Sequence, residues 1–127
     1  MRQLPPGNWI KHLTDFNFTN MNQENFKKLL ERRHALSAEV LNRKNLEYGT
    51  NIDMLESFKE QAEISIHSTP MAIGWELLVK HLYSVRRIIR EYEDHGRIPD
   101  QDMIDEKFGD AVNYLILIEA LFKELED

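Results

Sequence analysis

Several residue types and patterns are missing from this 127-residue chain. There is no cysteine, which excludes disulfides, thiolate catalysis and cysteine-ligated zinc. The five glycines are scattered, so no glycine-rich loop of the phosphate-binding type occurs. No apolar run has the length of a membrane span, and the first residues, with early prolines, do not resemble a signal peptide. The sequence therefore predicts an intracellular, cytoplasmic protein.

The charge balance is acidic, with charged residues making up 30% of the chain and a net charge of −6. Such a chain is soluble, and its overall field repels nucleic acid backbones and gives no basis for membrane binding. The length corresponds to one domain. We therefore expect neither a nucleic acid nor a membrane as a partner.

Apolar residues recur at helical spacing along most of the chain, and no strand pattern competes. Asn22, Thr69 and Asp100 are the expected N-caps of three helices, and Gly96 is the expected end of one of them. The predicted helices run from about 23 to 45, from about 52 to 66, from 70 to about 95, and from 101 to the C-terminus.

Residues 1–21 form a predicted irregular arm, because Pro5, Pro6 and Gly7 precede a cluster of aromatic and aliphatic side chains. That cluster is too apolar for a disordered tail. Residues 22–127 then form a single helical domain. The arm is expected to cover the helices or a neighbouring subunit.

The last two helices carry apolar residues at alternating spacings of three and four, as in bundle helices. In the final helix a second stripe accompanies the first, through Asp110, Tyr114, Leu117 and Leu121. Two stripes indicate contact with a second layer, which in a short chain is most simply another subunit. The predicted fold is all-α: an antiparallel four-helix bundle with an aromatic N-terminal arm, assembled as a homodimer or higher homo-oligomer.

Polar residues cluster at three places within this apolar pattern. They are Lys44, Glu47 and Tyr48 with Asp53; Glu76, Lys80 and Arg87 with His81 and Ser84; and Glu106, Asp110 and Asn113. In an antiparallel bundle, Lys80 could pair with Asp110 or Glu106. The pair would be either a buried structural ion pair or part of a polar pocket between helices, and the sequence leaves both open.

These residues resemble a family of small helical proteins common in phages and prophages. The resemblance covers residues 22–126 and rests on KNLEYG, DMLESF, WELLVKHLYS and DEKFGDAVNYLILIEALFKE. A phage-encoded protein would act in the host cytoplasm. More distantly, the chain is similar to the MazG-like all-α pyrophosphohydrolases, which cleave nucleoside triphosphates using magnesium held by ExxE and ExxD motifs.

The MazG-like resemblance implies a magnesium site. Glu60 and Glu63 match the ExxE motif, whereas Glu106 and Asp110 form ExxxD, with one extra residue. A second alignment places Glu76 in the ExxD motif, but Val79 then stands where the aspartate belongs.

Three functions remain open from the sequence. In a magnesium-dependent hydrolase, the metal would be held by the carboxylates of Glu60, Glu63, Glu106 and Asp110. Asp110 and Lys80 would be the catalytic residues. In a non-catalytic binder of a nucleotide or nucleotide-derived signal, Tyr48 or Trp75 would stack on the base. The other residues expected at the ligand are Lys44, Lys80, His81, Arg87 and Asn113. The third function is an oligomer that blocks a host factor.

Overall fold

The computed structural model describes residues 20–48, 53, 55–67 and 69–125, and only the backbone of residues 44–48. The described residues contain four helices and no strand, which confirms the all-α class. The helices are α1, Gln23–Tyr48; α2, Glu56–Ile64; α3, Pro70–His95; and α4, Gln101–Lys123. No described helix combines the length and apolarity needed to cross a bilayer.

The predicted helix ends are largely confirmed. The side-chain oxygen of Asn22 accepts a hydrogen bond of 2.8 Å from the backbone N–H of Asn25. The hydroxyl oxygen of Thr69 accepts one of 3.2 Å from the backbone N–H of Ala72. Asp100 likewise caps α4. Gly96 ends α3 in the left-handed region, with φ of 67°, where a side chain would be strained. These caps satisfy amide groups that have no partner inside the helix.

Two predicted helix boundaries differ from the structure. The first helix extends to Tyr48 rather than Asn45, and α2 is shorter than the predicted span of 52 to 66. At its start, Asp53 accepts the Leu55 N–H at 2.9 Å, which holds a turn just before the helix. At its end, Ser65 is extended. The predicted break at Gly49 lies outside the described residues.

The chain divides into two compact units, residues 1–43 and 44–127. In the first unit, the described portion is the body of α1, in which Arg32 and Ser37 are buried. The predicted boundary between residues 21 and 22 stays a prediction, because residues 1–19 lie outside the described part of the chain.

The second unit has its core where α2, α3 and α4 meet. The buried side chains there are Leu55, Phe58, Ile73 and Leu121, and Tyr114 and Leu117 pack against them. The Lys59 ammonium donates hydrogen bonds of 2.8 Å to the carboxylates of Asp53, before α2, and Glu124, after α4. The α2 helix is thus held on α3 and α4 by both apolar and charged contacts.

Contacts between α3 and α4 follow opposite chain order. Gly74, early in α3, lies beside Ile118 late in α4, whereas His81 further along α3 contacts Asp110 and Tyr114. A Cβ atom at position 74 would come within 2.8 Å of the Ile118 Cγ1 atom. The glycine therefore lets the two helices approach closely.

The apolar stripes of α3 and α4 are only partly buried. On α3, Leu78 is almost fully buried, but Trp75, Leu82 and Ile89 are exposed. On α4, the second stripe, through Tyr114, Leu117 and Leu121, belongs to the core. The first stripe of α4 is split between three kinds of environment: Ala111 is buried, Ile104 and Ile118 are half-buried, and Phe108, Leu115, Phe122 and Leu125 are exposed.

Candidate functional site

A cleft lies between the C-terminal half of α3, the connection after it and the first turns of α4. Its volume is about 540 Å³, within the usual size range of small-molecule sites. We call it the α3–α4 cleft. It is lined by Tyr83, Ser84, Arg87, Ile88, Glu91, Arg97, Ile98, Pro99, Asp100, Met103 and Lys107.

The local sequence explains why the cleft forms. Gly96 stops α3 in a left-handed conformation, and Asp100 starts α4 four residues later by accepting the Met103 N–H at 2.8 Å. The short connection brings Ile98 and Pro99 to the mouth of the gap between the two helices. The cleft is thus lined by both apolar and charged side chains.

The charged residues of the cleft are three cations and two anions, so its formal charge is positive although the chain is acidic. Glu91 is already paired with Arg97, with 2.7 Å between Oε2 and Nη1, and Asp100 is engaged as a helix cap. Lys107 contacts Glu106 at 3.2 Å. Arg87 has no ion pair within the described residues, so its guanidinium is available to a ligand.

A second polar cluster continues from the cleft by about one helical turn. Ser84 and Lys107 line the cleft, and His81 and Asp110 lie three residues beyond them on α3 and α4, on the adjoining turn. The His81 Nδ1 and Asp110 Oδ2 atoms are 3.5 Å apart, and both side chains are about three-quarters buried.

Tyr114 closes the cluster on its inner side. Its ring stacks on His81 with centroids 4.8 Å apart and meets Phe58 edge-on at 6.4 Å. Burial raises the pKa of the Tyr114 hydroxyl, and the negative charge of Asp110 adds to that rise. The tyrosine is therefore held neutral and serves as an aromatic platform for the histidine.

Asn113, a predicted ligand-binding residue, is buried, and its Oδ1 atom has no hydrogen-bond partner among the described residues. Such an atom is costly to leave unpaired. Asn113 is one residue before Tyr114 on α4, but it is not among the residues lining the cleft.

The predicted ion pair of Lys80 with Asp110 or Glu106 is not found among the described side chains. Lys80 is exposed, and Asp110 instead faces His81. The physical reason is helical rotation: consecutive residues differ by about 100°, so turning His81 towards α4 turns Lys80 away. The neighbouring residue in the sequence, rather than the lysine, is the partner of Asp110.

The other predicted site residues are placed as follows. Arg87 lines the cleft, Trp75 is exposed on α3, and Glu60, Glu63 and Glu106 are exposed. Lys44 and Tyr48 lie in α1 where only the backbone is described. Among the described residues, no three His, Asp or Glu side chains are grouped to hold a metal ion. The predicted magnesium site stays a prediction.

Sequence reasoning had singled out Arg87 and His81 but not the connection, and it missed Arg97 and Lys107 as parts of the site. The signal available was the short segment GRIPD, because a tight connection places its flanking residues at one end of both helices.

We compared the chain with protein-family models, curated proteins and solved structures. None matches.

Proposed function

We propose that this protein binds a small phosphorylated ligand, a nucleotide or nucleotide-derived signal, in the α3–α4 cleft. The observation that carries the proposal is Arg87, a cation without an ion pair among the described residues, in a cleft of ligand size. Guanidinium groups bind phosphate through paired, charge-assisted hydrogen bonds. Lys107 and Arg97 add positive charge, and the apolar side chains of the lining suit the rest of a nucleotide.

The binder is favoured over the hydrolase by where the carboxylates lie. Glu60 and Glu63 are on α2, which contributes nothing to the cleft lining. The carboxylates of the cleft itself are occupied by Arg97 and by the cap of α4. The MazG-like pyrophosphohydrolase, with magnesium on Glu60, Glu63, Glu106 and Asp110, therefore remains the second candidate, resting on the sequence resemblance.

Binding is tested by isothermal titration calorimetry with ATP, GTP and inorganic pyrophosphate, with and without magnesium. Arg87→Ala should weaken binding about 10-fold to 100-fold, because a hydrogen bond to a charged group contributes about 1.5–3 kcal/mol. Arg90→Ala is the matched control, since it removes the same charge from an exposed position of α3 outside the cleft. It should change the affinity less than about threefold, through long-range charge alone.

Pyrophosphate release measured in the ATP and GTP mixtures separates the candidates. Binding of a nucleotide without release of pyrophosphate supports a binder. Magnesium-dependent release that is lost in Asp110→Ala supports the hydrolase. If no probe binds, or if Arg90→Ala weakens binding as much as Arg87→Ala, the cleft is not the ligand site.

Exposed apolar side chains on α3 and α4 favour the interaction function as a further candidate. In this candidate function the protein is an antiparallel four-helix bundle that forms a homo-oligomer in the cytoplasm. A protein of this kind would act by occupying a host factor, and ligand binding in the cleft does not preclude it.

A further inference from the structure

Six large apolar side chains are exposed along α3 and α4 at a constant spacing. On α3 they are Trp75, Leu82 and Ile89, and on α4 they are Phe108, Leu115 and Phe122. Their exposed fractions range from 37% for Phe108 to 56% for Phe122. Both series repeat every seven residues, which keeps each of them on one line along its helix. We call these six residues the apolar face.

The two lines lie on the same side of the α3–α4 pair. Trp75 and Leu82 each follow a residue that contacts α4, namely Gly74 and His81. Leu115 likewise follows Tyr114, which contacts α3. One step along a helix is a rotation of about 100° in a fixed sense. Because the two helices meet in opposite chain order, these equal rotations turn both lines to one side.

The apolar face is on the side away from α2. The core that contains Phe58 of α2 takes its α3 and α4 side chains from positions outside the face: Met71, Ile73, Leu77, Tyr114, Leu117, Ala120 and Leu121. The residues of the α3–α4 cleft also exclude all six. The face is therefore separate from the core of the second unit and from the proposed ligand site.

The apolar face is a continuous patch large enough to form the centre of a protein interface. At about 1.5 Å rise per residue, each line is roughly 21 Å long. With packed helices about 8–10 Å apart, the face is roughly 20 Å wide once the side chains are included. The six residues then cover roughly 420 Å², about half of the roughly 800 Å² per partner of a standard interface, so the residues that flank them contribute the rest. A continuous patch of this size still exceeds a scattering of single exposed residues.

We infer that a second copy of this chain covers the apolar face, so that α3 and α4 of two protomers form a four-helix interface. A heptad line packs best against another helix with the same repeat, because its side chains then fit between those of the partner. This chain supplies two such lines of equal length on one face, which is the self-complementary surface a twofold dimer needs. The inference does not depend on ligand binding in the cleft.

The test is the molecular mass of the full chain by sedimentation equilibrium across a wide concentration range. Wild type should sediment at twice the chain mass. Leu115→Glu should raise the dimer dissociation constant at least 100-fold, because it places a charge at the centre of the apolar contact. Leu82→Glu, on the other helix, should act in the same way.

Ile116→Glu is the matched control. Ile116 is the next residue of α4, is 42% exposed and lies off the apolar face, so this variant should remain dimeric. Circular dichroism checks that each variant keeps its helical content. A deletion of residues 1–19 tests another occupant that this chain could supply, its apolar N-terminal segment.

Dimeric wild type and Ile116→Glu protein, with monomeric Leu115→Glu and Leu82→Glu protein, would support the inference. A wild-type monomer at all concentrations would overturn it, and the face would then serve a different protein. Equal effects of Leu115→Glu and Ile116→Glu would also overturn it. So would a dimer that is lost on deletion of residues 1–19 but kept in Leu115→Glu.

Discussion

Gly74 is the residue at which the packing of α3 on α4 is tightest. Alanine at this position favours a helix by up to about 1 kcal/mol. Its Cβ atom, however, would come within 2.8 Å of Ile118 Cγ1 and 3.8 Å of Phe58 Cε1. Overpacking of this kind costs about 1–3 kcal/mol. Steric conflict therefore outweighs helix propensity at this position.

We predict that Gly74→Ala lowers the free energy of unfolding by about 1 kcal/mol, the difference between these two effects. In an Ile118→Ala background the clashing atom is absent, so the same glycine change should be neutral or stabilising. Urea unfolding of the four proteins in this cycle measures both effects. Equal destabilisation in the two backgrounds would show that Ile118 is not the obstacle.

Tyr114 is a residue whose ionisation is linked to folding. Its pKa in the folded protein is raised above the ordinary value of 10.0, first by burial and then by Asp110. A raised folded-state pKa means that the contribution to stability is full below about pH 10 and is lost as pH rises through the folded-state value. Stability should therefore fall in alkaline solution partly through this one side chain.

We predict that Tyr114→Phe removes part of the fall in the free energy of unfolding above about pH 10, because no hydroxyl remains to ionise. Asp110→Asn should move the ionisation of Tyr114 back towards its ordinary range by removing the nearby negative charge. Tyrosinate absorbance and urea unfolding at a series of pH values provide the measurements. A wild-type alkaline dependence that persists unchanged in Tyr114→Phe would contradict the assignment.

At the scale of elements, helix ends follow local sequence closely. The caps at Asn22, Thr69 and Asp100 and the left-handed stop at Gly96 are all predictable, because each depends on side-chain and backbone atoms within a few residues. The start of α2 was harder to predict. It depends on Asp53, whose carboxylate is held both by the Leu55 N–H and by Lys59 on the helix itself.

The Thr69 cap yields a prediction for α3. Thr69→Ala should lower the free energy of unfolding by about 1 kcal/mol, because the Ala72 N–H loses its acceptor. Thr69→Ser keeps a hydroxyl at the same place and should cost only a small part of that. Urea unfolding gives the stability, and amide hydrogen exchange in the first turn of α3 locates the effect. Comparable losses in both variants would point to lost packing instead of a lost cap.

Lys59 shows how charge connects elements that are distant in the sequence. It bridges Asp53, before α2, and Glu124, at the end of α4. Its hydrogen bonds to these two carboxylates, that to Asp53 first, raise the pKa of Lys59, and the bond to Lys59 is the main cause that lowers the pKa of Asp53. The lysine therefore fixes the position of α2 relative to the far end of α4.

At the scale of the whole molecule, the second unit has three differently used surfaces. One side of the α3–α4 pair packs on α2, the end near the connection holds a positively charged cleft, and the remaining side carries the apolar face. Each surface uses its own positions of the same two helices. This separation should allow the proposed ligand binding and the inferred self-association to be changed independently by mutation.

The sequence by itself determined the all-α class, the helix caps and the positions of polar residues within apolar helices, because these depend on helical period and short-range hydrogen bonding. Only the tertiary structure decided which arc of each helix is buried. A period of 3.6 residues places adjacent residues about 100° apart, and the neighbouring helix then selects between them. That selection gave Asp110 the partner His81 instead of Lys80, and it left the heptad line of α3 and the heptad line of α4 exposed.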